Sequence, residues 1–150
     1  MEKEPDTTIV RLRVPGETES LSLVRTVVTH LARSLGFPER EVDKIEVAVD
    51  EACTNVLEHA YRFVSPKPPV QLEIRRAVDQ LVVDIIDEGC SFDFNHYSPP
   101  KFPDHWLEGN TRGAGLYLIR QCMDEITYSN EPSTGNRLRL VKKLPAPAAS

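Results

Sequence analysis

The chain has 150 residues, enough for one domain that withdraws about 70% of its unfolded surface from water. Charged residues make up 27% and hydrophobic ones 40%, and the net charge of −5 gives no general pull toward nucleic acid or anionic membrane. No stretch reaches the roughly 18 apolar residues of a membrane span, and the acidic start MEKEPDTT is not a secretion signal. Cys53, Cys90 and Cys122 are odd in number and far apart. They fit reduced thiols in a cytoplasm, with Cys53 and Cys122 as small core residues on helices.

Residues 1–6 read as a flexible N-terminus. TTIVRLRV, residues 7–14, alternates Ile9, Arg11 and Arg13 with Val10, Leu12 and Val14, which predicts a strand with one buried face. Pro15-Gly16 breaks it. Residues 18–35 carry the helical stripe Leu21, Val24, Val27, Val28, Leu31 and Leu35, closed by Gly36. A second helix is expected from about Glu39 to Tyr61, with core positions Ile45, Val49, Ala52, Val56 and Ala60. SPKPP is a turn. VQLEIRR and LVVDIID follow as strands around a hairpin turn at Val78-Asp79-Gln80. Residues 93–111 show no period, and a loop that long inside a compact domain is often functional. RGAGLYLIRQCM then reads as a helix opened by two glycines, EITYSN as a strand, EPSTGN as a turn, RLRLVKKL as a last strand and 145–150 as a disordered tail. The order β, α, α, β, β, loop, α, β, β predicts an α/β two-layer sandwich: a mixed, largely antiparallel sheet covered on one face by helices.

Three motifs carry chemistry. Glu51, Asn55 and His59 recur every fourth residue on the second helix, bordering the core stripe, with Glu46, Asp50, Thr54, Glu58 and Arg62 on the solvated side. The column either widens the polar face or walls a site. In a site, Glu serves as general base, Asn gives Mg²⁺ an oxygen and His hydrogen-bonds phosphate. Asp87-Glu88-Gly89 ends an apolar strand. It is either a plain turn or a carboxylate that accepts from an amino group such as adenine's, with Gly89 letting a flat ligand approach. Thr111-Arg112-Gly113-Ala114-Gly115-Leu116 opens a helix whose first N–H groups and dipole suit phosphate. It is neither a P-loop nor a dinucleotide fingerprint.

Taken together, DEACTNVLEHAY, DEGCSFD, RGAGLYLI and TGNRLRLVKKL resemble the GHKL, or histidine-kinase-like, ATP-binding fold, and within it the anti-sigma-factor serine kinases. The resemblance covers residues 7–144. It implies ATP and Mg²⁺ as cofactors, with Asn55 on the metal and Glu51 as base toward a substrate serine. Asp87 and Gly89 would receive adenine, helped by Asn136, and His59, Arg112, Gly113, Ala114, Gly115 and Leu116 would line the nucleotide site. Residues from about 94 to 112 would form a lid. Ser91 and Asn136 depart from the family pattern, which has glycine or proline and threonine there. The implied function is a cytoplasmic protein serine/threonine kinase, a homodimer that phosphorylates a STAS-type anti-anti-sigma protein and sequesters a sigma factor, with the first strand and helix, around Thr18 to Leu35, as partner surface. The alternative is a nucleotide-gated binding module without kinase activity. Direct nucleic-acid or membrane partners are not expected.

Overall fold

The computed structural model describes residues 7–91 and 112–146, with the backbone alone at 112–114. The expected flexible N-terminus, the lid up to its last residue and the end of the tail lie outside the described residues. Strand β1 (Thr7–Val14) is followed by helices α1 (Ser20–Ser34) and α2 (Glu39–Asn55). Strands β2 (Val70–Ala77) and β3 (Gln80–Asp87), helix α3 (Arg112–Cys122) and strands β4 (Glu125–Glu131) and β5 (Gly135–Lys143) complete it.

The sheet order is β1-β2-β3-β5-β4, and each neighbouring pair runs antiparallel. Mixed pairing was expected, and the connections explain why no adjacent described strands show it. Two successive helices, α1 and α2, return the chain so that β2 opposes β1. The crossover that includes α3 leaves β3 and β4 parallel, but β5 inserts between them. The β2–β3 hairpin turns at Val78-Asp79, with Asp79 at φ 57°, a left-handed conformation that aspartate tolerates.

The three helices cover one face. Val24, Val28 and Ala32 of α1, Val42, Ile45, Val49 and Ala52 of α2, and Ile119 of α3 are buried against Leu72, Ile74, Val83, Ile85 and Leu140. Cys53 is buried in this core, and burial, with a smaller push from Asp50, raises its thiol to about 12. Cys122 is half-buried against it. Gly36, at φ 97°, ends α1 as expected. Below the core, Lys142 donates to Cys122 O at 2.6 Å and lies 2.8 Å from Glu41. That cation ties β5 to the end of α3 and the start of α2.

The other face holds a buried charge. Asp84 lies in the apolar run of β3 with its side chain fully buried, covered by arginines from β2 and β5. Arg139 donates to both its oxygens at 2.9 and 3.0 Å, Arg137 reaches it at 2.5 Å, and Arg75 lies at 3.5 Å. Burial alone pushes this carboxyl up. The hydrogen bonds and charges of Arg139 and Arg137 outweigh it and hold the group below its ordinary range.

The folded pKa of Asp84 is therefore depressed, so its stabilisation is present above the unfolded pKa and lost as pH falls through the folded one. Asp84→Asn strips the arginines of their shared counter-charge and is expected to cost about 3 kcal/mol at neutral pH. It should also flatten the acid limb of a urea-denaturation series. Unchanged stability at pH 7 would contradict the account.

Candidate functional site

The site forms where the ends of α2, β3 and β5 meet the start of α3. Helix α2 does not run straight on to Tyr61 as the periodicity predicts. After Asn55 it widens into a π-helical turn, Val56–Ala60. Such turns are uncommon and recur at functional sites. Here two carbonyls of the turn find partners outside it. Ala60 O accepts from Cys90 N–H at 3.0 Å, and Leu57 O accepts from Lys67 Nζ at 2.7 Å. The turn after β3 is thus pressed onto the end of α2. A Cβ at Gly89 would overlap the Ala60 carbonyl, so the approach requires glycine.

Tyr61 is the hub of this junction, and the sequence reading passed over it as a helix end. Its side chain is fully buried. Its hydroxyl donates to Pro69 O at 2.9 Å and accepts from Glu88 N–H at 3.1 Å. The available signal was an aromatic residue with a polar tip two positions after the His59 column.

Glu51, Asn55 and His59 lie half-buried at the border of α2, beside the buried Ala52 and Val56. On the expected solvated side, Glu58 and Arg62 are exposed, but Glu46, Asp50 and Thr54 are half-buried, and Asp50 accepts from Arg25 Nη1 of α1 at 2.7 Å. Burial, then the charges of Asp50 and Glu58, raise the Glu51 carboxyl above its ordinary range. Gly115 of α3 faces this column: a Cβ there would lie 2.9 Å from Glu51 Oε2 and 3.4 Å from Asn55 Oδ1. The lack of a side chain lets α3 bring its first turn against both groups. The backbone of Arg112, Gly113 and Ala114 forms that first turn. Leu116 is buried beside it.

A cavity of about 100 Å³ opens along this seam. Asn55, His59, Asp87, Cys90, Ser91 and Leu116 line it, with Ala52, Val56, Tyr128 and Leu138 as apolar wall. Asp87 is buried. Its Oδ1 accepts from Gly89 N–H at 2.9 Å and from Asn136 Nδ2 at 2.8 Å. Its Oδ2 has no hydrogen-bond partner among the described residues. Burial raises the Asp87 carboxyl, and the two donors partly offset this. Asn136 is buried too, and its Nδ2 also reaches Gly89 O at 3.0 Å and Cys90 O at 3.4 Å. Its donor group therefore serves the protein rather than the cavity.

The arrangement fits a flat, polar-edged ring held by one carboxylate oxygen between apolar walls. It also fits a polyanion at the start of α3. No metal-binding cluster of His, Cys, Asp or Glu occurs among the described residues. One amide oxygen at Asn55 suits Mg²⁺, which usually takes few protein ligands and fills its shell with water and phosphate oxygens. No described helix is long and apolar enough to cross a membrane.

The family model of the histidine kinase-like ATPase domain matches residues 14–142. The serine-protein kinase RsbW of Bacillus subtilis (strain 168) is 33% identical over 128 residues, covering 81% of this chain and 78% of that protein. The serine-protein kinase RsbW of Bacillus velezensis is 33% identical over 142 residues, covering 90% and 85%. Among solved structures, the RsbU and RsbW domains of a Mycobacterium tuberculosis protein align with a TM-score of 0.65 at 18% identity. That alignment covers 97% of this chain and 34% of the other. The SiaB–SiaC complex of Pseudomonas aeruginosa aligns with a TM-score of 0.61 at 13% identity, covering 90% and 89%. At these identities the structural likeness shows the fold.

Gly89→Ala should lower stability by about 2 kcal/mol, because the added methyl meets backbone rather than a side chain that can move. Urea denaturation checks this, and a variant as stable as the wild type would contradict the close approach to Ala60.

Proposed function

The chain belongs to the histidine kinase-like ATPase family, and we propose that it works there as an ATP- and Mg²⁺-dependent protein serine kinase of the anti-sigma-factor type. The observation that carries this reading is the meeting of Gly115 with Glu51 and Asn55 beside a cavity that Asn55 and Asp87 both line. A base, a metal ligand, a donor-rich helix start and a carboxylate for the purine then share one seam. Phosphoryl transfer needs little more, because it is mostly positioning and charge neutralisation.

In this reading Asp87 Oδ2 accepts from the adenine amino group, and the Gly89 backbone lets the ring lie close. The backbone at Gly113, Ala114 and Gly115 cradles phosphate, with Arg112, His59 and Leu116 beside it. Asn55 gives its Oδ1 to the metal. Bound Mg·ATP supplies the phosphoryl group. Glu51 takes the proton from the substrate serine hydroxyl as that oxygen bonds to the γ-phosphorus, the bond from that phosphorus to the β–γ bridging oxygen breaks and ADP leaves; its raised pKa makes Glu51 a stronger base than an ordinary glutamate. The substrate in this proposal is a STAS-type anti-anti-sigma protein, and the kinase also sequesters a sigma factor as a cytoplasmic homodimer. Names shared by the Bacillus relatives support the serine-kinase assignment. Arg25, bound to Asp50, leaves the α1 surface from Thr18 to Leu35 attached to the helix that carries Glu51.

The test is transfer of labelled phosphate from ATP to a cognate anti-anti-sigma protein, alongside calorimetric titration with a non-hydrolysable ATP analogue. Glu51→Gln should reduce transfer by about a hundredfold or more and leave nucleotide affinity within about twofold. Asn55→Ala should abolish Mg²⁺-dependent binding. Glu51 must be ionised to accept a proton, so transfer should fall as pH drops through a midpoint above that of an ordinary glutamate. Tight binding without transfer by the wild type would instead identify a nucleotide-gated binding module. Wild-type transfer by Glu51→Gln would remove Glu51 from the chemistry.

Gly115→Ala separates fold from activity. Alanine suits a helix interior better than glycine, by about 0.5–1 kcal/mol, and the only close atom it meets on the Glu51 side is the movable end of a carboxylate. Stability should hold or rise while transfer falls by about tenfold or more as Glu51 is displaced. Full activity with normal stability would mean that Glu51 tolerates the shift.

A further inference from the structure

Three side chains stand in one row across three strands. Asp87 of β3 pairs with Asn136 of β5, and Asn136 pairs with Asn130 of β4. Directly opposed residues in antiparallel strands share a face, so the row presents a carboxylate, an amide and an amide side by side. The orientation of the middle amide follows from its surroundings. Asn136 Nδ2 faces three oxygens, on Asp87, Gly89 and Cys90. Reversed, it would set its own oxygen against all three. Its Oδ1 must therefore point toward β4, where Asn130 Nδ2 donates to it. Asn130 itself is exposed and lies outside the cavity lining.

We propose that Asn130 is a positioning residue for nucleotide recognition: it locks the Asn136 amide, which holds Asp87 Oδ1 and leaves Oδ2 alone for the base. This rests on the reading of Asp87 as the adenine acceptor. Asn136 has one buried acceptor, and Asn130 supplies a donor to it. Without that donor the buried oxygen is left short of a partner, and the amide relaxes away from Asp87. Asp87 then loses a donor that favours its ionised form, and its carboxylate is free to rotate. Base recognition is thus set by a residue two links from the base. The titratable and charged groups around Asp87 are Glu88 beside it in the chain, Tyr61 after the π-helical turn, Cys90 in the turn, His59 and Tyr128 across the cavity, and Arg13 of β1 across a small cavity on the other side. The substitutions at position 130 keep each of these residues and add no charge beside them.

The test uses Asn130→Leu, which keeps the size and removes the donor without adding charge, and Asn130→Thr, which restores a donor as a hydroxyl. Two quantities are read in the full-length protein. One is the titration midpoint of the Asp87 carboxyl by ¹³C NMR without nucleotide. The other is the calorimetric Kd for a non-hydrolysable ATP analogue with Mg²⁺. Asn130→Leu should move the Asp87 midpoint upward and raise Kd about fivefold, the scale of one hydrogen bond. Asn130→Thr should recover both in large part. Wild-type values of both quantities in Asn130→Leu would overturn the proposal. So would a lowered thermal midpoint as its sole effect, since Asn130 would then serve only the sheet. An Asp87 shift in a protein whose wild type binds no ATP analogue would uphold the brace and overturn the adenine reading. An increased Kd with an unmoved Asp87 would uphold the nucleotide site and overturn the brace.

Discussion

The site depends on one contact between backbones: the Gly89–Cys90 turn lying on the carbonyl of Ala60. Two elements distant in sequence, the end of α2 and the end of β3, are joined there without a side chain between them. The π-helical turn presents the carbonyl, glycine allows the approach, and Tyr61 clamps the same junction from below through Glu88 N–H and Pro69 O. With that contact made, Asp87 and the Asn55–His59 wall face one cavity. Without it, α2 and β3 would end near each other but frame no common space.

A second constraint comes from charge on the far side of the sheet. The described helices all lie on one face, and a sheet face without helices must be kept both wet and unsticky. Here Asp84 is buried under Arg75, Arg137 and Arg139 from two neighbouring strands. The ion cluster acts as a cross-strand tie in the middle of the sheet, three residues before Asp87 on the same strand. The helix layer is fastened separately, by Lys142 at the opposite end of the core.

Most of the fold was legible, because its signals are local. Alternation in residues 7–14 and 137–144 and the helical stripes of α1 and α2 belong to one segment each, and the observed ends agree to within a few residues except at the end of α2, which stops at Asn55 rather than Tyr61. The π-helical turn was not legible: over the five residues Val56–Ala60, periods of 3.6 and 4.4 cannot be told apart, and no glycine or proline marks the change. The absence of adjacent parallel strands depends on β5 inserting between β3 and β4, which no single segment encodes. The same distinction holds at the site. Glu51, Asn55, Asp87 and Gly115 stood out through type and spacing. The facing of Gly115 against Glu51 required α2 and α3 to be packed. Asn130 gave no signal by itself, since its meaning comes from the register that sets it opposite Asn136. Asp84 was hidden for a similar reason: within LVVDII it reads as one polar residue on an apolar strand, and its three arginines arrive from elsewhere.

The three cysteines differ in a way that makes the cavity chemically addressable. Cys53 is sealed in the core with its thiol pushed up to about 12, and burial raises Cys122 as well. Cys90 is exposed and lines the cavity. The thiolate is the reactive form, so an electrophile small enough to enter meets one accessible sulfur first. That sulfur is on the turn fastened to Ala60 and Asn136, beside the space proposed for the purine. A fluorophore or spin label placed there would sense whether that space is filled, without any change to the native sequence.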